Sequence, residues 1–202
     1  MTELVWIALV LPLAGCAVLA LGGTWFPQRL AGWFASLVMG AAFGCAVAAF
    51  ILLQDREEEE RVVGDTLFTW LSGGASFRVD MSILFDPLSS VMLLVVTGVG
   101  FLIHVYSIGY MRGDVQERRF FAYLNLFCFS MLLLVLTGNF VLLLAGWGLV
   151  GLSSYLLIGY WHERPSAVAA AKKAFVMNAV GDVGLMIAIF LIFRELGTVD
   201  YL

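Results

Sequence analysis

Apolar residues fall into six long runs, separated by brief polar breaks and one extended one. The runs cover approximately residues 4–21, 30–53, 87–111, 120–137, 140–161 and 168–193. Each is close to or above the ~18 apolar residues that mark a bilayer-spanning helix. The breaks carry recognisable stop signals: Gly22-Gly23 with Pro27, then Gly138-Asn139, then His162-Glu163-Arg164-Pro165. The first run has Glu3 but no early Lys or Arg. It lacks the positive start of a cleaved signal peptide and is expected to be a retained first span. The pattern predicts an all-α polytopic membrane protein with about six transmembrane helices, forming a single membrane domain over residues 1–202. No internal repeat is visible.

The extended break, residues 54–85, is an extramembrane loop. It opens with the charged run Asp55–Glu60. Residues 66–71 and 76–83 are then rich in β-branched and aromatic side chains around Ser72-Gly73-Gly74-Ala75. Phe77, Val79 and Met81 alternate with Arg78, Asp80 and Ser82, the period of a half-buried strand. This predicts a short β-hairpin at the membrane surface. Asp86-Pro87 then opens the third helix, with Asp86 as helix cap and Pro87 in the first helical position.

Composition narrows the classes. Hydrophobic residues make up 62% of the 202 and charged residues 13%, against roughly 45–50% and 25% in soluble domains. A soluble chain of this size cannot bury that much apolar surface, so the lipid bilayer is the expected partner. The net charge of −4 offers no basic footprint for nucleic acid. Cys16, Cys45 and Cys128 lie in apolar runs without a Cys-x-x-Cys pair. They read as small buried hydrophobes rather than a metal or redox site. With the N-terminus outside, the short inner loops hold Arg29, Arg112, Arg118, Arg119 and Arg164, followed by Lys172 and Lys173. The positive-inside rule therefore favours that orientation.

Ionisable residues within the spans are the candidate chemistry, because they are costly there. Asp182 lies about 15 Å along its helix from Lys172 at 1.5 Å per residue, near mid-membrane. Asn178 is four residues away on the same face. Asp182 is either a proton-relay carboxylate or a structural acid bonded to a neighbouring helix. Lys172 and Lys173 sit in a first turn, either as interface anchors or with one turned inward as a proton carrier. His104 is about 25 Å along the third helix from Pro87, as a relay or a hydrogen-bonded interface histidine. No metal site is expected. Gly146, Gly148, Gly151, Ser153 and Ser154 suggest close packing of the fifth span.

Several ordered blocks carry a family resemblance: Asp86-Pro87-Leu88-Ser89, His104-Val105-Tyr106-Ser107-Ile108-Gly109-Tyr110-Met111, and Arg119-Phe120-Phe121-Ala122-Tyr123-Leu124-Asn125-Leu126. They continue in Gly151-Leu152-Ser153-Ser154-Tyr155 through Trp161 and in Ala170-Ala171-Lys172-Lys173-Ala174-Phe175. Together they resemble the N-terminal third of subunit L of bacterial NADH-quinone oxidoreductase, respiratory complex I. Antiporter subunits of Mrp-type exchangers share much of the pattern. The resemblance implies a proton-translocating subunit of the bacterial inner membrane, partnered by other membrane subunits of complex I. It implies no redox cofactor in this chain; NADH, flavin, iron-sulfur clusters and quinone belong to other subunits. Two positions depart from it. The family has Glu where this sequence has Gly148, and Arg where it has Ala179. The resemblance also places a seventh-span Lys beyond residue 202, so the chain is expected not to pump alone. A non-pumping structural or assembly component and an Mrp-type cation/proton antiporter subunit are the alternatives.

Overall fold

The protein, as a computed structural model, is described over residues 1–22, 27–73 and 77–201. Six helices run in chain order: α1 (Thr2–Leu21), α2 (Gln28–Gln54), α3 (Pro87–Tyr110), α4 (Glu117–Leu136), α5 (Phe140–Ile158) and α6 (Pro165–Leu196). All six are long and apolar enough to cross a membrane. Between α2 and α3 lies an antiparallel hairpin of β1 (Val63–Gly73) and β2 (Phe77–Phe85). Gly23 in the first break, and Gly74, Ala75 and Ser76 at the expected hairpin turn, lie outside the described residues.

The expected hairpin is present, but its strands are longer than residues 66–71 and 76–83. Val63 pairs with Phe85 and Gly73 with Phe77, and register shifts at Thr66/Phe68 and Thr69/Leu71 absorb the unequal lengths. On β2 the alternation holds, with Val79, Ile83 and Phe85 buried. On β1, Leu67, Phe68, Trp70 and Leu71 stay exposed.

Local signals explain the helix boundaries. Asp86 Oδ1 accepts from Ser89 N at 2.7 Å, and Ser89 Oγ accepts from Asp86 N at 2.8 Å, a reciprocal capping box. Asn139 caps α5 by accepting from Leu142 N at 2.9 Å. Pro165 opens α6, where its missing N–H costs nothing, and Gly197 closes it at φ 72°. The early start at Pro165 corrects one expectation. Lys172 and Lys173 are two turns into α6, not in its first turn.

In the bundle of α1 to α4, α2 and α4 each pack against the other three; α5 packs on α4, and α6 packs on α5. One apolar cluster gathers Val5, Leu9, Leu53, Phe85, Leu93 and Leu136 at the hairpin end. A second gathers Leu19, Ala31, Ala35, Met111, Phe121 and Tyr160 at the opposite end. Alanines and glycines on α2 allow backbone approach, which drives association where lipid supplies no hydrophobic gain. A Cβ at Gly32 would lie 2.9 Å from the Phe121 ring. At the hairpin end the α4–α5 turn is stitched on both sides. Gly138 N donates to Ser82 O at 3.1 Å, and Phe140 N donates to Val199 O at 2.9 Å.

Candidate functional site

The site begins on α6, whose apolar surface is nearly all outward; among its described residues only Ala171 and Ile189 are fully buried. Asp182 is about 25 Å from Pro165 along a helix about 48 Å long, hence at mid-length. It is half-buried, and its Oδ1 is enclosed with no hydrogen-bond partner. Asn178, one turn earlier, packs directly over Gly151 of α5, where a Cβ would collide with its amide. Because α5 and α6 are antiparallel neighbours, moving one turn from Asn178 to Asp182 corresponds to moving from Gly151 toward Gly148. A Cβ at Gly148 would meet nothing within 4 Å. Ala179 is half-buried, while Lys172 and Lys173 are both exposed. Neither lysine turns into the bundle.

His104 lies elsewhere. It is fully buried on α3, in the four-helix part of the bundle, and α4 and α5 stand between it and α6. The four ionisable candidates therefore do not converge. The His104 ring is anchored by Nδ1 to Gly100 O at 2.7 Å and lies 6.2 Å from the Phe121 ring. Its Nε2 is buried without a hydrogen bond. The Asn125 amide of α4 is close enough to act on the ring. No hydrogen bond of ordinary geometry joins them, and both Asn125 amide atoms are buried and unpartnered.

Further polar groups lie between the two places; of these, Ser153 is expected from the sequence only as a packing residue, and Asn125 and Ser130 are not expected as candidate chemistry. Ser130 Oγ of α4 and Ser153 Oγ of α5 are 3.3 Å apart, each donating back to its own helix at 2.7 Å. Asn125, Ser130 and Ser153 are fully buried. Their signal in the sequence is a small polar residue or two in an apolar run, but such residues usually serve packing. Only the helix contacts reveal which of them meet.

A second polar cluster closes the opposite end from the hairpin. Asp114 accepts from Gln116 N at 2.8 Å, from Tyr160 Oη at 2.8 Å and from Trp161 Nε1 at 3.5 Å. Arg119 donates to Tyr160 O at 2.7 Å and to His162 Nδ1 at 3.3 Å. The Gln116 N–H above all, and the Tyr160 and Trp161 donors with the nearby Arg119 charge, hold the Asp114 carboxyl below its usual range. Burial, then the Asp114 bond, push the Tyr160 phenol up. Among the described residues no group of three His, Cys, Asp or Glu side chains is placed to hold a metal ion.

Two family models match the chain. One, described as NADH-Ubiquinone oxidoreductase (complex I), chain 5 N-terminus, matches residues 70–121; the other, NADH:quinone oxidoreductase/Mrp antiporter, TM, matches residues 137–201. NADH-quinone oxidoreductase subunit L of Mycobacterium tuberculosis (strain ATCC 25618 / H37Rv) is 48% identical over 203 residues, covering 99% of this chain and 31% of the relative. Its counterpart of the same name in Escherichia coli (strain K12) is 44% identical over 198 residues, covering 96% and 31%. A solved structure of the Mrp complex from Dietzia sp. DQ12-45-1b contains a chain that superposes with a TM-score of 0.79 at 22% identity. That match covers 97% of this chain and 20% of the other, and it shows a shared fold. The chain thus spans about 31% of the length of these curated relatives.

Proposed function

Because the chain belongs to the antiporter-like membrane-subunit family of complex I subunit L and the Mrp exchangers, we propose that it forms part of a proton path in a proton-translocating NADH-quinone oxidoreductase. The observation that carries this reading is Asp182. A carboxyl at mid-helix, with an enclosed oxygen that has no partner, is expensive to keep unless it is used. Asn178 beside it supplies an amide that can donate to the ionised form or accept from the neutral one. His104, and Lys172 and Lys173 toward the inner surface, are further proton-carrying groups in this reading, reached through water or other subunits. The chain itself carries no redox centre here; NADH, flavin, iron-sulfur clusters and quinone act in partner subunits. Its place is the bacterial inner membrane with the N-terminus outside. Arg29, Arg112, Arg118, Arg119 and Arg164 all lie at or beyond helix ends on the side away from the hairpin, which favours that side as the inner one.

A second reading, a non-pumping structural component, is favoured by one feature. The resemblance puts a Glu at Gly148 and an Arg at Ala179, and the space at Gly148 holds no substitute group within 4 Å of a Cβ. The test is Asp182→Asn in the complete subunit within its complex, in inverted membrane vesicles. Proton uptake driven by NADH is expected to fall at least tenfold with subunit assembly retained. Uptake unchanged from wild type favours the structural reading. Complementation of sodium or alkali sensitivity, without NADH-driven uptake, points to the Mrp-type alternative.

A further inference from the structure

His104 Nε2, Asn125 Oδ1 and Asn125 Nδ2 are buried without hydrogen bonds, and the helices bring the two residues together: the His104 ring lies 6.2 Å from the Phe121 ring, one turn before Asn125 on α4, and the Asn125 amide is close enough to act on it. Unmet polar groups in a core are costly. Three together call for an explanation.

Hydrogen-bond accounting supplies one. Gly100 O, a carbonyl, can only accept, so His104 Nδ1 is the donor in their 2.7 Å contact. That fixes the tautomer, and any proton that comes or goes does so at Nε2. The neutral ring then offers a lone pair at Nε2 and needs a donor; the protonated ring offers N–H and needs an acceptor. Asn125 carries one of each at the end of a torsion that turns easily. Neither amide atom is tied to another group, so turning the amide breaks no bond. Across from it stands Gly15 of α1, where a Cβ would lie 3.0 Å from Asn125 Nδ2. A side chain there would crowd the turn.

The surroundings leave the amide as the group that responds. On α4, Cys128 faces Gly100, one turn from His104, while Glu117 and Tyr123 lie nearer the helix end. On α1 the ionisable side chains are Glu3 and Cys16, and on α2 Arg29 and Cys45. None of these is hydrogen-bonded to the ring, whose one hydrogen bond is to Gly100.

We propose that Asn125 is the positioning residue for a proton held at His104 Nε2. Its amide presents Nδ2–H to the neutral imidazole and Oδ1 to the imidazolium, so that the ring takes up and gives back a proton inside an apolar core. This deepens the proton-path reading by giving His104 a partner, and its test is independent of translocation.

The test uses the full chain, 15N-labelled at histidine, in lipid vesicles, with His162→Gln so that His104 alone reports. Nitrogen NMR separates protonated from bare ring nitrogens. At pH 7 Nδ1 is expected protonated and Nε2 bare; at pH 5 a measurable fraction gains a proton at Nε2 while Nδ1 keeps its own. Asn125→Leu, near in volume but without donor or acceptor, is expected to cut that imidazolium fraction about tenfold or more. The factor follows from losing a hydrogen bond to a charged group, which is stronger than a neutral one. Asn125→Asp, a fixed acceptor, is expected to enlarge the fraction. If the leucine variant misfolds, Gly15→Ala is read instead, and the fraction is expected to fall with helix content retained. A bare Nδ1 at pH 7, a ring that stays neutral at pH 5, or variants that match wild type would overturn the proposal. Loss of translocation in Asp182→Asn alongside an unresponsive His104 would leave the proton path standing and remove Asn125 from it.

Discussion

Asn139 caps α5 and ties the α4–α5 turn to β2, and Asn139→Ala measures how much that joint contributes. The residue is fully buried. Its Oδ1 accepts from Leu142 N at 2.9 Å, and its Nδ2 donates to Asp80 O at 2.8 Å and to Ser82 Oγ at 3.3 Å. Losing an N-cap costs about 1 kcal/mol. Each net hydrogen bond to the hairpin adds about 0.5–1.5 kcal/mol, reduced where Asp80 O finds water. Together these predict about 2–3 kcal/mol of destabilisation. Asn139→Ser separates the parts: serine still caps, but its hydroxyl is too short to reach β2. It is expected to recover about 1 kcal/mol of the loss. The assay is reversible unfolding of the purified chain in mixed micelles of rising denaturing-detergent fraction, followed by far-UV circular dichroism. An alanine variant within about 0.5 kcal/mol of wild type would refute the reasoning, since buried polar ties would then contribute almost nothing. A serine variant as unstable as alanine would remove the cap from the account.

Two glycines two residues apart, on opposite faces of α5, make opposite predictions. Gly146→Ala drives a Cβ to 2.9 Å from the Leu134 backbone nitrogen, which cannot swing away, and is expected to cost about 1–3 kcal/mol. Gly148→Ala meets open space and is expected to fall within about 0.5 kcal/mol of wild type or to gain slightly from helix propensity; equal effects in the same micelle assay would show that α4 and α5 are not in this register. The Asp114 cluster predicts a pH dependence. Its carboxyl is lower in the folded chain than when unfolded, so its contribution is complete above about pH 4 and is lost as pH falls through the folded value. Hydrogen exchange across residues 111–116 is expected to accelerate below that pH, and Asp114→Asn is expected to abolish the acid step; a step that survives the substitution would assign it to another group.

Much of the fold was legible in the chain because bilayer-spanning helices must satisfy their own backbone. An apolar run of sufficient length is then nearly a complete instruction, and 87–111 and 140–161 match α3 and α5 within a few residues. Boundaries were less legible. α6 starts earlier than its apolar run because Pro165 opens a helix before hydropathy rises. β1 extends past its β-branched stretch because register shifts let pairing continue. The candidate chemistry was legible as residue types but not as a site. Asp182 and His104 are conspicuous ionisable residues in apolar runs, yet they lie on opposite sides of α4 and α5.

What the sequence by itself determined was the six spans, the hairpin, the Asp86 cap and the family, because these depend on local periodicity, local hydrogen bonds and ordered motifs. What only the tertiary structure decided was which polar groups meet. The glycines at 146 and 151 set how closely α4, α5 and α6 approach, and that spacing brings Ser130 to Ser153 and Asn178 over α5. Asn125 is one amide among apolar neighbours until α1, α3 and α4 pack together. Then it lies beside His104 with both of its polar atoms without a hydrogen bond, because a buried polar group is defined by what surrounds it.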